Sequence, residues 1–229
     1  LKACRTAFEA GKSQVKLYFM LGLPTETDED LEGIAKLAKR VVDTYYDVMR
    51  GVRGKKSPKV TISCACFIPK PFTAFQWEAQ STLEELDRKQ KYVLSKIEDP
   101  KVVFNYHDAD GSRIEAVFAR GDRKLSKALL EARRRGIRFD SWDEYFDYNA
   151  WCEVFDACGI DPAFYANREF GENEVLPWDI IDCGVTKSFL LRERHNAYDS
   201  KTNRNCAEQC TGCGANRLGG ERTWCPKQN

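Results

Sequence analysis

Three apolar segments of strand length alternate with amphipathic helical segments in the first half of the chain, and this order constrains the fold most. The strand-like segments are residues 15–21 (VKLYFML), 59–69 (KVTISCACFIP) and 101–107 (KVVFNYH). Apolar residues recur at helical spacing from Leu31 to Tyr45, and Ser81 or Thr82 is expected to cap a second helix running to about Ile97. The pattern predicts an α/β fold in which right-handed helical crossovers join parallel strands.

The first strand-like segment is mostly apolar on both faces. One face would carry Val15, Leu17, Phe19 and Leu21, and the other Tyr18 and Met20. This composition predicts a strand covered on both sides. Three parallel strands do not close a barrel, and the first would be left with an open edge. We therefore expect more strands upstream of Leu1 and interpret the chain as a piece of a longer protein.

From Gly111 onward the apolar pattern becomes helical. The predicted helices are marked by Ile114, Val117 and Phe118; by Leu125, Ala128, Leu129 and Ala132, ended by Gly136; and by Trp142, Tyr145, Phe146, Asn149 and Cys152, ended by Gly159 and Pro162. A short helix near residues 186–197 leads into a Gly- and Asn-rich tail. The predicted domains are residues 1–110, a helical extension over 111–200, and a Cys-rich tail over 201–229.

The composition is that of a globular protein, because 42% of the 229 residues are hydrophobic and 31% are charged. A formal net charge of +1 gives no general attraction to nucleic acid or anionic membranes, so we expect neither as a partner. No apolar run approaches the roughly 20 residues of a transmembrane helix. We expect a cytoplasmic protein.

Ten cysteines are present, and four of them, Cys206, Cys210, Cys213 and Cys225, lie within the last 24 residues. The other six are scattered in apolar or helical segments, a distribution that favours a reducing compartment over disulfide bonds. Thiolates suit zinc or an iron–sulfur cluster better than hard cations. We predict a metal site at these four cysteines; their spacing does not separate zinc from an iron–sulfur cluster.

The turn after the first strand, Gly22-Leu23-Pro24-Thr25-Glu26-Thr27, resembles the GLPGET-like turn of radical S-adenosylmethionine (SAM) enzymes, with Thr25 in place of the usual second glycine. Four further blocks resemble one branch of that superfamily: FIPKPFTAFQWEAQ, EAVFARGDRKLSKALLEA, FDACGIDPAFYANRE and VLPWDIIDCGVTKSFLL. That branch is uncharacterised and usually follows a cobalamin-binding-type domain. The resemblance extends over nearly the whole chain.

The resemblance implies that residues 1–110 are the later strands and helices of a partial (βα) TIM-like barrel. It implies SAM-binding residues at two strand ends: Gly22, Leu23, Pro24, Thr25, Glu26, Phe67, Ile68 and Pro69. In the full-length protein, a 4Fe-4S cluster held upstream of this chain would reduce SAM. The 5′-deoxyadenosyl radical so formed would abstract hydrogen from an unknown substrate. A flavodoxin or ferredoxin would supply the electron. The cobalamin-binding-type domain that usually precedes this branch makes cobalamin a possible further cofactor of the full-length protein, and the resemblance leaves its binding open.

On this interpretation the chain contains no catalytic residue and is inactive alone, and the terminal cysteines hold an additional iron–sulfur cluster or zinc. The alternative is a non-catalytic, zinc-clipped module that binds RNA or a partner protein, supported by basic loops at 51–56 and 133–135. Other polar groups are expected to have ordinary roles. Cys66 is expected to be a packed thiol, and His195 a structural residue on a charged helix. His107 is interpreted as a surface-loop residue, with proton transfer or substrate binding as the alternative, and Lys70 faces either an anionic substrate or water.

Overall fold

A computed structural model describes residues 1–218, which divide into two compact units. Unit 1 comprises Leu1–Phe67 and Ser81–Arg113. Unit 2 comprises Ile68–Gln80 and the chain from Ile114 onward. Residues 68–80, which fall within the predicted first domain, thus belong with the C-terminal part of the chain.

Unit 1 is an α/β unit in which strands and helices alternate, as the sequence predicts. Its elements are α1 (Lys2–Glu9), β1 (Gln14–Leu21), α2 (Asp28–Val48), β2 (Lys59–Cys66), α3 (Leu83–Ser95), β3 (Val102–Tyr106) and the first part of α4 (Ala109–Ala119). The three strands are parallel and lie in the order β1-β2-β3. They form an open sheet and do not close into a barrel.

Local capping explains where the two crossover helices begin. Thr27 precedes α2 and forms a reciprocal capping box with Asp30: the Thr27 hydroxyl accepts from the Asp30 N–H, and the Asp30 carboxylate accepts from the Thr27 N–H. Acidic residues fill the first turn of α2, where the helix dipole favours them. Thr82 caps α3 by accepting a hydrogen bond from the Glu85 N–H.

The prediction that β2 runs from residue 59 to residue 69 is wrong at its end, because the strand stops at Cys66. The next amide, of Phe67, still donates to Leu21 O at 2.7 Å, after which the ladder to β1 ends. Pro69 has no amide hydrogen to donate to a ladder, and Ile68 already belongs to unit 2.

The core of unit 1 lies on one side of the sheet only. Alternate strand residues on this side pack against α2 and α3, and they include Leu17, Leu21, Val60, Ile62, Cys64, Val102 and Phe104. On the other side, Tyr18 is 74% exposed and Met20 is 45% exposed. The prediction that β1 is covered on both sides is therefore wrong for the residues that the structure describes.

Unit 2 is mainly helical. Its elements are the rest of α4, α5 (Ser126–Arg135), α6 (Tyr148–Cys158), α7 (Pro162–Ala166), α8 (Lys187–Tyr198) and two short 3-10 turns at Arg123–Leu125 and Ala215–Leu218. Gly136 and Gly159 end α5 and α6 in the left-handed conformation, as predicted. Pro162 starts α7 at its first turn, where a missing N–H costs nothing.

The helix predicted from Trp142 begins six residues later, at Tyr148, with Asp147 as its cap. Residues 139–146 form turns instead, and the Trp142 and Tyr145 side chains are exposed. The side chain of Asp147 accepts a hydrogen bond from the Ala150 N–H, which satisfies one of the amides at the new N-terminus. The local cap overrides the helical spacing of the aromatic residues.

The turn-rich segment 68–80 contributes a central part of unit 2. Trp77 is fully buried beside Phe170, and the Phe170 N–H donates to Trp77 O at 2.7 Å. The indole N–H of Trp178 donates to Gln76 Oε1 at 2.7 Å.

In the described part of the chain, residues 1–218, no helix is long and apolar enough to cross a membrane.

Candidate functional site

The turn Gly22–Glu26, here called the rim turn, follows β1 at the carboxyl edge of the sheet. Its ends are joined by the Glu26 side chain, whose Oε2 atom accepts a hydrogen bond from the Gly22 N–H at 2.8 Å. The same oxygen accepts one from the Lys89 ammonium on α3 at 2.7 Å. Glu26, one of the residues expected to bind SAM, thus uses its carboxylate in hydrogen bonds that hold the turn together.

Gly22 is required at its position for two independent reasons. Its φ is +83°, a left-handed conformation that side chains disfavour. A Cβ atom there would lie 2.9 Å from Leu86 Cδ2 and 3.3 Å from Ser81 Oγ. The rim turn therefore lies directly against the start of α3, with no space for a larger residue.

Thr25 adopts a backbone conformation that is rare for its residue type. Its φ is +64°, in the left-handed region, where a β-branched side chain is strained. This is the position at which the turns that it resembles carry glycine. The conformation suits glycine. With threonine at this position, the backbone strain costs about 1–3 kcal/mol of folding free energy.

Phe67 lies beside the rim turn, because its amide donates to Leu21 O. The structure therefore brings the ends of β1 and β2 together, as expected of two strand ends that share a site. The Phe67 N–H is already used in this hydrogen bond and is not available to a ligand. Ile68 and Pro69, the other residues expected there, belong to unit 2.

Hydrogen bonds from α3 link the carboxyl ends of β2 and β3. The side-chain amide of Gln90 donates to His107 O at 2.9 Å and to Cys66 Sγ at 3.4 Å. Burial raises the pKa of Cys66, and this thiol also lies 3.8 Å from His107 O. Cys66 is thus a packed thiol, whereas the side chain of His107 is exposed beyond the end of β3.

The uncovered side of the sheet, here called the open face, carries polar groups in register. Tyr18 on β1 is paired with Ser63 on β2, which is paired with Asn105 on β3. Strands lie about 4.8 Å apart, so a phenol, a hydroxyl and an amide form a row roughly 10 Å long. The Lys16 ammonium lies 4.9 Å from the centre of the Tyr18 ring on the same strand. Such a row can bind a polar ligand through hydrogen bonds beside an aromatic surface.

Other charged residues noted in the sequence have protein partners. Lys70 forms an ion pair with Glu115 within unit 2, and His195 Nε2 lies 2.9 Å from Glu172 Oε1. In the basic run 133–135, Arg135 pairs with Glu131 and Glu153. These contacts use part of the positive charge on which an RNA-binding surface would depend.

The three described tail cysteines, Cys206, Cys210 and Cys213, are half-buried. Within residues 1–218 no three His, Cys, Asp or Glu residues are grouped so that they could hold a metal ion. Cys225, the fourth predicted ligand, lies outside the described residues. One local feature does fit a metal site: the Gly212 N–H donates to Cys210 Sγ at 3.4 Å. Amide hydrogen bonds of this kind stabilise metal-bound thiolates.

Sequence reasoning missed a buried charge cluster in unit 2. The guanidinium of Arg194 donates to Glu78, Glu169 and Glu172 at 2.6, 2.7 and 2.8 Å. The Tyr198 hydroxyl also donates to Glu78, at 2.8 Å. These acids lie far from Arg194 in the sequence, and no local pattern joins them. The cluster is fully paired and has the character of a structural network.

Comparison with known proteins adds one relative. The chain is 37% identical over 123 residues to the uncharacterized protein MJ0966 of Methanocaldococcus jannaschii, a match that covers 52% of this chain. The matched segment covers 24% of the relative, about a quarter of that protein's length. No family model matches the chain, and no solved structure matches it.

Proposed function

We propose that this chain is the later part of the SAM-binding barrel of a radical SAM protein, followed by a helical extension and a metal-binding tail. The observation that carries the proposal is the adjacency of the rim turn to the end of β2 at the carboxyl edge of a parallel sheet. In barrels built from βα units, ligands bind at this edge.

The open face supports the same proposal. Helices cover one side of the sheet, while the row Tyr18, Ser63 and Asn105 faces away from them. In a complete barrel this side is the interior, where inward-facing side chains fill the space or contact a ligand. Polar side chains at these positions suit a barrel whose interior holds a polar substrate.

The residues of this chain would position the cofactor and exclude water. Glu26 and Lys89 hold the rim turn in one shape, and Gly22 allows the backbone to approach a ligand closely. When bound and reduced, SAM would supply a carbon radical that abstracts hydrogen from the substrate. An upstream cluster, an external reductant such as flavodoxin or ferredoxin, and a cobalamin-type domain belong to the full-length protein in this proposal.

The test uses the full-length protein, reconstituted anaerobically with iron and sulfide and given SAM and a chemical reductant. We expect formation of 5′-deoxyadenosine. Leu23→Trp, which places a large ring in the rim turn, should weaken SAM binding by about tenfold or more, roughly 1.4 kcal/mol. Val52→Trp, in the exposed loop before β2, should bind SAM as wild type does. Absence of 5′-deoxyadenosine, or equal binding by both variants, would contradict the proposal.

The alternative, a zinc-clipped module for RNA or a partner protein, predicts different results in the same preparation. Such a protein would bind zinc, release no 5′-deoxyadenosine and show no affinity for SAM. The ion pairs of Arg135 with Glu131 and Glu153 make the basic run less available to phosphates. We therefore rank the RNA-binding function second.

A further inference from the structure

The first half of α4 carries a buried guanidinium that has no partner in the described part of the chain. Arg113 is only 8% exposed, and its Nε atom is enclosed without a hydrogen-bond partner. The terminal nitrogens, Nη1 and Nη2, also form no hydrogen bond or ion pair with any of residues 1–218, but unlike Nε they reach the surface. Arg113 therefore presents two unpaired terminal nitrogens from a side chain that the protein otherwise encloses.

The acidic residues near Arg113 do not neutralise its charge. Glu84, in the first turn of α3, accepts hydrogen bonds from its own N–H and from the Thr82 hydroxyl, which lower its pKa, and Arg113 adds a weaker electrostatic effect from beyond ion-pair distance. On α4 itself, burial raises the pKa of Asp110, and Asp108 raises it further. A guanidinium beside Asp110 would have the opposite effect.

The other buried arginines among residues 1–218 are fully paired. Arg120 donates to three backbone carbonyl oxygens, and Arg194 donates to three carboxylates. These are the contacts expected of a guanidinium that stabilises a fold, because a charge removed from water without partners is costly. Arg113 bears that cost without such contacts, which indicates that its partner is a ligand.

The position of Arg113 in the fold is that of a ligand-binding residue. Its neighbour Ser112 forms a side-chain hydrogen bond with Cys66, the last residue of β2, so this part of α4 lies at the carboxyl edge of the sheet. The start of α3 lies at the same edge, because a Cβ atom on Gly22 of the rim turn would be 3.3 Å from Ser81 Oγ. Arg113 and the rim turn thus share the edge at which βα units bind ligands.

We propose that Arg113 binds an oxyanion, a carboxylate or a phosphate, of a ligand at the carboxyl edge of unit 1. The planar guanidinium presents its terminal N–H groups to two oxygen atoms at once, and the pairing is strong where water is excluded. Either the carboxylate of SAM or an anionic group of the substrate has this chemistry. The inference rests on the proposed function for the use of this edge, and its first test does not involve SAM.

The first test measures binding of radiolabelled inorganic phosphate to the full chain by equilibrium dialysis, with chloride keeping the ionic strength constant. Wild type should bind one phosphate saturably, and acetate should compete. Arg113→Met should bind about tenfold more weakly or worse, and Arg113→Lys, which keeps the charge but loses the planar fork, should lie between the two. Arg40→Met, at an exposed residue of α2, should bind as wild type does.

Urea unfolding separates a binding role from a structural one. In phosphate-free buffer, Arg113→Met should unfold at a urea midpoint no lower than that of wild type, because it removes an unpaired buried charge. Added phosphate should raise the midpoint of wild type and of Arg40→Met more than that of Arg113→Met. A lower midpoint for Arg113→Met, with unchanged phosphate binding, would show that the residue is structural.

The outcomes also separate this inference from the proposed function. Absence of saturable phosphate binding by wild type, or equal binding by Arg113→Met, overturns the inference whether or not the full-length protein cleaves SAM. Phosphate binding that depends on Arg113, without formation of 5′-deoxyadenosine by the full-length protein, contradicts the proposed function alone.

A SAM titration of the full-length protein identifies the source of the oxyanion. If phosphate competes with SAM and Arg113→Met binds SAM about tenfold more weakly, the oxyanion is the carboxylate of the cofactor. If Arg113→Met binds SAM as wild type does but loses phosphate, the oxyanion belongs to a separate, anionic substrate. Both results support the oxyanion site.

Discussion

The ammonium of Lys89 on α3 lies 2.7 Å from the carboxylate of Glu26 in the rim turn, and each side chain is only 7% exposed. The contact joins residues from two different crossovers of unit 1. Because Glu26 also accepts the Gly22 N–H, one buried charge pair holds both ends of the rim turn against α3. The shape of the candidate site therefore depends on α3 as much as on the turn's own sequence.

Removing one partner of this pair should be strongly destabilising. Lys89→Met leaves the Glu26 carboxylate buried without its counterion, and we expect the free energy of unfolding in urea to fall by about 3–5 kcal/mol. The double variant Lys89→Met/Glu26→Gln should recover a large part of that loss, because a neutral amide can still accept the Gly22 N–H. A double variant no more stable than Lys89→Met would show that the charge is not the cause.

Gly22→Ala should destabilise unit 1 through both backbone strain and steric overlap. Gly51→Ala is a matched control, because Gly51 has a similar φ of +77° but nothing within 4 Å of its Cβ position. We expect the control to lose about 1 kcal/mol of unfolding free energy and Gly22→Ala to lose about 1–3 kcal/mol more. Equal losses would mean that Leu86 and Ser81 yield without cost.

Thr25→Gly should stabilise the protein although it removes a side chain. The left-handed φ costs threonine about 1–3 kcal/mol, whereas glycine costs about 0.5–1 kcal/mol through the greater freedom of the unfolded chain. The expected gain is about 1 kcal/mol in urea unfolding. Ser200→Gly, at another non-glycine residue with positive φ, should show a smaller gain because serine is not β-branched. A loss of stability on Thr25→Gly would argue against strain at this position.

Stability should fall in the alkaline range because of Cys64. Burial raises the pKa of this thiol from 9.0 to about 12. Between those values the unfolded chain has released the proton and the folded chain has kept it, so unfolding becomes easier as the pH rises from about 9 to about 12. Cys64→Ala should flatten this part of the curve of unfolding free energy against pH.

The buried guanidinium of Arg120 should be essential to unit 2. It donates to the carbonyl oxygens of Tyr165, Ala166 and Arg168 at 2.6 to 2.8 Å and is fully buried. Arg120→Met leaves these acceptors without their donor, and we expect a loss of about 3 kcal/mol or more. Faster amide hydrogen exchange in α7 would locate the effect. Arg138→Met, at an exposed residue, should exchange as wild type does.

Much of unit 1 follows from local sequence patterns. Strands β1 and β3, helix α2 and the cap at Thr82 lie close to their predicted positions, because alternation, capping and helix breaking depend on neighbours in the chain. The stop signals at Gly136 and Gly159 were predictable for the same reason. The helix expected from Trp142 was wrong because the cap at Asp147 outweighed a pattern of aromatic residues.

The sequence by itself therefore determined the α/β class, the order of strands and helices, and the position of a glycine-containing turn at the end of β1. Only the tertiary structure decided that β1 has one open side, that Lys89 joins Glu26, and that Gly184 meets Gly214 in the tail. The physical reason is distance along the chain. Local patterns report backbone preferences over a few residues, whereas burial, ion pairing and backbone contacts depend on segments that folding brings together from 30 to 63 positions apart.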